Sequence, residues 1–348
     1  MTDREPQMSD RRPIVLQNHG SVHPIVDDLL APHVRLVTAS ASTAEALISE
    51  GTGAVAVIGR GPGKVCARVL EELADIRFAV APGSGTDAID VEAATGLGIA
   101  VVNNAGVAPQ PVAEYVVGAS VVLLKKLREA DAALRAGVVW GERERGLRGR
   151  EVSGRTMGLI GFGQIGREVA RRARLGLGMQ VLAHDPAVPG EVFAEHEVEP
   201  LPLPELLTRA DVVSVHVPLL PGTRGLLGAE QLRLMRPGAV LVNTSRGGVV
   251  DEAALIECLR GGHLGGAALD VFDPEPPAPD NPLFGMDNVL VTPHLAGITE
   301  EAMERLGRAC AANLLGLLRG VRPTRLVNDV TWPPPRAALL GWPLSPEV

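Results

Sequence analysis

The run TMGLIGFGQIGREVARRARLGLGMQVLAHDP, Thr156 to Pro186, decides how the rest of the chain is read. A short apolar segment leads into Gly161, Gly163 and Gly166; a helical pattern follows, and a second apolar segment ends at Asp185. This is the pattern of a strand, a tight turn, a helix and a strand. Gly161 supplies a residue without Cβ where the turn is tightest, Gly163 lets a pyrophosphate approach the backbone, and Gly166 lets the helix lie close to the strand. The unpaired N–H groups at the helix start, from Gln164 onward, attract phosphate. Asp185 stands nineteen residues beyond Gly166, at the end of the second strand, where a carboxylate accepts hydrogen bonds from both hydroxyls of an adenosine ribose. The same carboxylate repels a 2′-phosphate, so the run predicts a dinucleotide site that prefers NAD to NADP. In a chain with 40 glycines the triplet alone says little. The flanking strands and the acid give it meaning.

Outward from this run, 348 residues of which 46% are hydrophobic provide for two domains. Aromatic residues make up only 3%, so both cores must be built from Val, Leu, Ile and Ala. From Pro13 to Gly106 the segments PIVLQ, VRLVTA, VAVIGR, IRFAVAP and IAVVNN read as strands, with the helical KVCARVLEELA between the third and fourth. They form a first α/β unit. VAEYVVGASVVLLKKL, Val112 to Leu127, reads as a long buried helix, and the polar segment Gly137 to Gly154 separates it from the strand at Met157. After Asp185 come a short helix, LPELLTRA, and four strands with the turns that follow them: DVVSVHVP, AVLVNTSRGG, GAALDVFDPEP and VLVTPHLAG. Six strands in all suffice for a doubly wound parallel sheet. TEEAMERLGRACAANLLGLLRG is a long amphipathic helix, and VRPTRLVND returns the chain to the first unit. The expected division is a disordered stretch at 1–12, one domain from 13–112 and 313–330, a dinucleotide domain at 113–312, and an extended Pro-rich tail at 331–348.

Several classes of function are excluded by composition. A net charge of −8 without a long basic block argues against nucleic acid, and Arg143 to Arg150 reads as a solvated segment. Cys66, Cys258 and Cys310 are far apart and form no metal-ligand pair, so neither a disulfide framework nor a metal site is expected. The polar start MTDREPQMSDRRP is unlike a signal peptide, and no apolar run reaches the roughly eighteen residues of a membrane span. A soluble protein of the reducing cytoplasm is expected.

In an open α/β sheet, ligands sit at the carboxyl ends of the strands, and there this sequence places its polar groups. The four late strands end in His216 and Pro218; in Asn243, Thr244, Ser245 and Arg246; in Asp270 and, five residues on, Glu275; and in Thr292, Pro293 and His294. Reduction of a ketone by hydride builds negative charge on oxygen, so a protonated imidazole must supply a proton there. A carboxylate beside the imidazole orients it and favours its charged form. A guanidinium grips a substrate carboxylate with two parallel hydrogen bonds. Arg246, Glu275 and His294 fit these roles as a set. Asp251, ahead of EAALIECL, reads as a helix N-cap, and His216 as structural or cofactor-lining. In the first unit PGSGTDAID, Pro82 to Asp90, offers the N–H groups of Gly83, Ser84 and Gly85 to an anion.

GLIGFGQIG, SRGGVVDEAAL, ALDVFDPEPP and VTPHLAGIT together resemble the D-isomer-specific 2-hydroxyacid dehydrogenase family, which contains phosphoglycerate dehydrogenases and glyoxylate/hydroxypyruvate reductases; the likeness runs from about Val55 to Asn328. The resemblance implies a Rossmann-type domain inserted into a smaller flavodoxin-like α/β substrate domain made of both chain ends, with a cleft between, and a homodimer. It implies that Arg246 binds the substrate carboxylate, that His294 is the general acid/base paired with Glu275, and that Asp270 holds the nicotinamide carboxamide. The cofactor contacts expected are Gly161, Gly163, Gln164, Ile165, Gly166, Asp185, His216, Pro218, Thr223, Thr244, Ser245, Asp270 and Gly297. Arg60, Ser84, Gly85 and Arg246 are the expected substrate contacts.

Departures from the family pattern bear on substrate. Where phosphoglycerate enzymes commonly have Arg-Ser-Arg, this chain has Arg60, Gly61 and Pro62, and Ala108 stands where many members have asparagine. The extra C-terminal regulatory domain of long phosphoglycerate dehydrogenases is not expected either, so the expectation is an NAD-dependent enzyme for a small 2-oxo or 2-hydroxy acid, with phosphoglycerate not the favoured one. Formate enzymes of the family carry glutamine in place of Glu275. A phosphite-type anion dehydrogenase and an NAD(H)-sensing corepressor-like protein remain as alternatives.

Overall fold

The computed structural model describes residues 12–61, 64–137 and 146–341. The expected disordered N-terminus, apart from Arg12, lies outside them, as do Pro62, residues 138–145 of the polar connector and the last seven of the tail. The chain forms two compact units, one running to Ala108 and resuming at Thr299, the other Pro109–Ile298.

In the first unit, β1 (Ile14–Gln17), β2 (Arg35–Thr38), β3 (Ala54–Ile58), β4 (Phe78–Ala81) and β5 (Ala100–Asn103) form a parallel sheet in the order β2-β1-β3-β4-β5. This is the flavodoxin-like order. Because successive side chains of a strand point to opposite faces, Val15, Ala56, Phe78 and Val80 feed one core while Leu16, Val57, Ala79 and Val101 feed the other. Both faces are therefore covered, as an all-parallel sheet requires.

The helix Glu300–Leu318 starts at Thr299, whose side chain accepts the Ala302 N–H. Its Cys310, Ala311, Leu314, Leu317 and Leu318 lie in the first of these cores, and Gly307 sits so close to the helix Ile25–Leu30 that a Cβ would come 2.7 Å from Ile25. One continuous buried face keeps this helix in a single unit, so the boundary falls at 298/299 and not at 312/313. Asn328 then stitches the chain to β5: its Oδ1 accepts the Val101 N–H at 2.9 Å, and its Nδ2 donates to Ile99 O at 2.9 Å. The tail, expected to be extended, instead forms the helix Pro335–Leu339. Arg336 explains this, donating to Leu70 O, Leu73 O and Ala74 O at 3.0, 3.2 and 3.0 Å and so satisfying carbonyls at the end of the helix Ala67–Glu72.

The second unit holds β6 (Thr156–Ile160), β7 (Gln180–His184), β8 (Glu199–Pro200), β9 (Val212–Val215), β10 (Val240–Asn243), β11 (Gly266–Leu269) and β12 (Val289–Val291), all parallel, in the order β12-β11-β10-β9-β6-β7-β8. It is a doubly wound sheet whose order reverses between β6 and β9. The seventh strand, β8, extends the expected six, and its two residues are too few to show a pattern in sequence. Asp251 caps the helix Glu252–Arg260, accepting the Ala254 N–H at 3.1 Å; a cap of this kind contributes about 1 kcal/mol. The long helix begins at Pro109 and ends at Leu124, earlier at both ends than its apolar run suggests, because the prolines fit a first turn whose N–H groups are unpaired anyway. Lys126, at φ 53°, then turns the chain into a separate helix, Leu127–Arg135, which has no buried residue. No helix among the described residues is long and apolar enough to cross a membrane.

Candidate active site

The turn after β6 is built as its glycines require. Gly161 has φ +97°, and a Cβ there would stand 2.8 Å from the His216 carbonyl at the reversal point of the sheet. A Cβ at Gly166 would come 2.4 Å from Gly161 O, whereas one at Gly163 would meet nothing within 4 Å. Open space thus faces the start of the helix Gln164–Leu177, where Gly163 is the N-cap and no side chain caps the end. These are the surroundings that a pyrophosphate fits. Ile165 beside it packs on the core. Asp185 accepts the Phe162 N–H at 2.8 Å through Oδ2 and the Ala187 N–H at 3.0 Å through Oδ1. It therefore braces the glycine turn, a task that the spacing alone did not reveal.

Further along the carboxyl edge, His216 Nε2 pairs with Ser214 Oγ at 2.9 Å, and burial pushes its pKa down to about 4. A neutral imidazole there suits a lining role and no proton donation at neutral pH. Thr223 Oγ1 donates to Pro218 O at 2.6 Å, fixing the loop after β9. Ser245 Oγ donates to Asn243 Oδ1 at 2.9 Å. Thr244 Oγ1 is buried and has no hydrogen-bond partner among the described residues, and Gly297 lies 3.6 Å, measured from an added Cβ, from Val112. A buried hydroxyl left unpaired is costly, so the Thr244 position fits a polar ligand group better than an empty surface. The edge as a whole suits a dinucleotide.

Three further side chains of the same unit converge. Arg246 follows β10, its carbonyl accepting from Asn243 Nδ2 at 3.0 Å and its Nη1 donating to Ser245 O at 2.6 Å. A Cβ on the next residue, Gly247, would lie 2.0 Å from the carbonyl carbon of Phe272. Only glycine allows the segment carrying Arg246 to back directly onto the one carrying Glu275. Glu275 Oε1 accepts the Phe272 N–H at 3.0 Å, and its Oε2 meets His294 Nδ1 at 2.8 Å. His294 Nε2 is left as the exchangeable position, on a side chain 48% exposed. Its backbone has φ 53°, an uncommon conformation for a residue with a Cβ.

The charges oppose and reinforce one another in a definite order. The hydrogen bond from Glu275 is the largest influence on His294; with the Glu275 and Asp270 charges it outweighs desolvation and the nearby Arg246, so the imidazole pKa is raised. For Glu275 desolvation is largest and pushes upward. The bonds from His294 and the Phe272 N–H, with the His294 and Arg246 charges, overcome it, and the pKa is lowered. An imidazolium beside a carboxylate is thereby favoured more than in a free histidine.

Asp270 proves to have an inner role that sequence reading missed. It is 1% exposed; Oδ1 accepts from Thr292 Oγ1 at 2.6 Å and from the Leu295 N–H at 2.8 Å, Oδ2 accepts the Ala296 N–H at 2.9 Å, and its backbone carbonyl accepts the His294 N–H at 2.8 Å. The aspartate holds the turn on which His294 rides. Tyr115, unmentioned by any motif, meets Thr292 at 2.7 Å.

The expected substrate contacts of the first unit lie at the carboxyl edge of its own sheet. Arg60 Nη1 donates to Gly20 O and Ser21 O at 3.0 and 2.8 Å, its N–H to Asn18 Oδ1 at 2.8 Å, and among the described residues it forms no ion pair. Desolvation lowers its pKa. The Ser84 carbonyl accepts from Asn103 Nδ2 at 2.8 Å. The N–H groups of Gly83, Ser84 and Gly85 donate to no described residue.

Comparison with known proteins gives a consistent result. The sequence profile of the NAD-binding domain of D-isomer-specific 2-hydroxyacid dehydrogenases matches residues 117–296. The (S)-sulfolactate dehydrogenase of Chromohalobacter salexigens is 44% identical over 277 residues, 79% of this chain and 88% of that one. The D-3-phosphoglycerate dehydrogenase of Methanocaldococcus jannaschii is 40% identical over 291 residues, 83% of this chain and 55% of that one. The chain spans about half the length of the phosphoglycerate dehydrogenases it matches. Among solved structures, the TT0316 protein of Thermus thermophilus superimposes with a TM-score of 0.82 at 34% identity, covering 90% of this chain and 100% of that one.

Proposed function

We propose, from the premise that this chain belongs to the D-isomer-specific 2-hydroxyacid dehydrogenase family, that it is an NAD-dependent dehydrogenase interconverting a small 2-oxo acid and its 2-hydroxy acid. The observation that carries the reading is the 2.8 Å pairing of His294 Nδ1 with Glu275 on the sheet edge that also bears Arg246 and the glycine turn. The bound dinucleotide supplies or accepts the hydride. Arg246 grips the substrate carboxylate through two parallel hydrogen bonds and fixes the carbonyl for attack. As negative charge builds on the carbonyl oxygen, His294 Nε2 gives it a proton, and the neutral imidazole recovers one from solvent. In the oxidative direction the same nitrogen takes the hydroxyl proton. Glu275 orients the ring and favours its charged form.

The substrate proposed carries a second anionic group. Arg60 supports this, being partly desolvated with no ion pair among the described residues; Ser84 and Gly85 are proposed as further contacts, and the relatives above are named for sulfolactate and phosphoglycerate. Asp185 supports a preference for NADH over NADPH. A cytoplasmic homodimer is also proposed, on the free cysteines and on Leu127 and Leu134, 49% and 61% exposed along a helix with no buried residue. Purified protein assayed with NADH and NADPH against 2-oxo acids with and without a second anionic group tests the reading. Turnover with NADH is expected. Tight NADH binding with no turnover across the panel points instead to a dinucleotide sensor.

A further inference from the structure

We infer that Tyr115 is a positioning residue for His294, acting through Thr292 and Asp270; the inference rests on the proton-transfer role proposed above. Tyr115, the only tyrosine of the chain, sits on the helix Pro109–Leu124 and reaches Thr292 just beyond β12, with the two hydroxyl oxygens 2.7 Å apart. Proton accounting fixes the direction of the chain. Both oxygens of Asp270 already accept backbone N–H groups, and Thr292 commits its one proton to Asp270 Oδ1 at 2.6 Å. The Thr292 oxygen must then accept from Tyr115, and burial, which raises the tyrosine pKa, keeps that donor protonated. The relay is Tyr115 to Thr292 to Asp270.

The far end of the relay is the His294 turn. Asp270 gathers the N–H groups of Leu295 and Ala296 on its carboxylate and that of His294 on its backbone carbonyl. A non-glycine residue at φ 53° persists only where its surroundings hold it. Without the tyrosine hydroxyl, Thr292 keeps its proton but loses the bond that fixes its rotamer, and one of the two donors to Asp270 Oδ1 is free to turn away. A looser turn weakens the His294–Glu275 pair, although neither residue touches Tyr115. The charged groups around the imidazole are Glu275, Arg246 and Asp270; all remain in the variant.

The test uses the full chain as Tyr115→Phe, Thr292→Val, Thr292→Ser and the Tyr115→Phe/Thr292→Val double variant, with His294→Asn as reference. Turnover is read with NADH and the best 2-oxo acid of the panel, and the His294 ring is titrated by NMR in protein without cofactor, its signal assigned by its loss in His294→Asn. Tyr115→Phe is expected to lower kcat about five- to tenfold, to leave the Kd for NADH within about twofold, and to move the His294 pKa down by about half a unit. Thr292→Ser should retain the parent values. The double variant should be no worse than Thr292→Val alone, since both changes cut one chain. A parent-like kcat and His294 pKa in Tyr115→Phe, or effects that multiply in the double variant, overturn the positioning role. A His294→Asn variant that still turns over overturns the proton-transfer reading itself, and the two failures are thereby told apart.

Discussion

The two sheet edges treat charge in opposite ways. At the carboxyl edge of the seven-stranded sheet, polar side chains are spent on one another: Asn243 on Arg246 and Ser245, Asp270 on Thr292 and the Leu295 and Ala296 N–H groups, Glu275 on Phe272 and His294. At the edge of the five-stranded sheet, Arg60 is steadied only by the backbone carbonyls of Gly20 and Ser21 and the side chain of Asn18, with no ion pair among the described residues. Apart from the Thr244 hydroxyl, unpaired among the described residues, the network of the seven-stranded sheet is saturated, and it fixes geometry before any ligand arrives, which is what a chemical step requires. A guanidinium partly withdrawn from water without a counter-charge is an incomplete arrangement that an anion completes. The proposed proton transfer rests on the first arrangement, and the proposed preference for a second anionic group on the charge of Arg60.

The largest expected effect tests the first half of that contrast. His294→Asn should lower turnover by a factor of about 100 to 10,000, the usual range for general acid catalysis, while NADH binding measured by fluorescence stays near the parent value. A smaller loss would mean that the network supports something other than proton transfer. Arg246→Lys comes next, because a point charge cannot reproduce a planar two-pronged grip. A fall in kcat/KM of about 10- to 100-fold is expected, shared between a higher KM and a lower kcat. Both constants within about twofold of the parent would remove Arg246 as the carboxylate anchor.

The saturated edge was also the more legible one, for a physical reason. Gly161, Gly163 and Gly166 each answer a local demand of the backbone, so their spacing between two apolar runs, with Asp185 at the end of the second, announces them; Arg246, Glu275 and His294 stand at strand ends, where a parallel sheet must present its ligands. What stayed hidden depends on partners distant in sequence. Tyr115 and Thr292 are 177 residues apart, Asp270 and Thr292 22, and no periodicity connects them. The amphipathic pattern of Glu300–Leu318 tells that one face is buried but not against which sheet, hence the boundary found at 298/299. Nor does the pair of glycines after Arg246 reveal that Phe272 would lie 2.0 Å from a Cβ. Arg60 was visible as a residue, but its want of an acid partner among the described residues is a property of the fold.

Arg60→Ala probes the unsatisfied edge. Its effect should depend on substrate: kcat/KM for 2-oxo acids bearing a second anionic group should fall about tenfold, the worth of a charged hydrogen bond at a partly exposed site, whereas acids without that group should change little. Equal losses on both kinds of substrate would assign Arg60 a structural task, holding the loop at Gly20 and Ser21, and erase the contrast between the edges.

The smallest effect is the most specific, because it alters only how the saturated network holds one proton. Glu275 raises the His294 pKa above its usual value, chiefly through the hydrogen bond to Nδ1. Reduction needs the protonated ring, so its rate should fall as pH rises through that raised pKa; oxidation needs the neutral ring and should fall as pH drops through it. Glu275→Gln keeps the shape and a hydrogen-bonding side chain but removes the charge that favours imidazolium. Both limbs should therefore move to lower pH, and in the same sense, since one group governs both directions. At a fixed neutral pH the variant should lose reductive activity several-fold, about what a shift of half to one unit produces, whereas oxidation should hold or rise, because more of the ring is then neutral. NADH affinity should not follow, because Glu275 touches neither the glycine turn nor Asp185. Rate profiles measured in both directions for parent and variant decide the matter, and profiles that superimpose would falsify the coupling of His294 to Glu275.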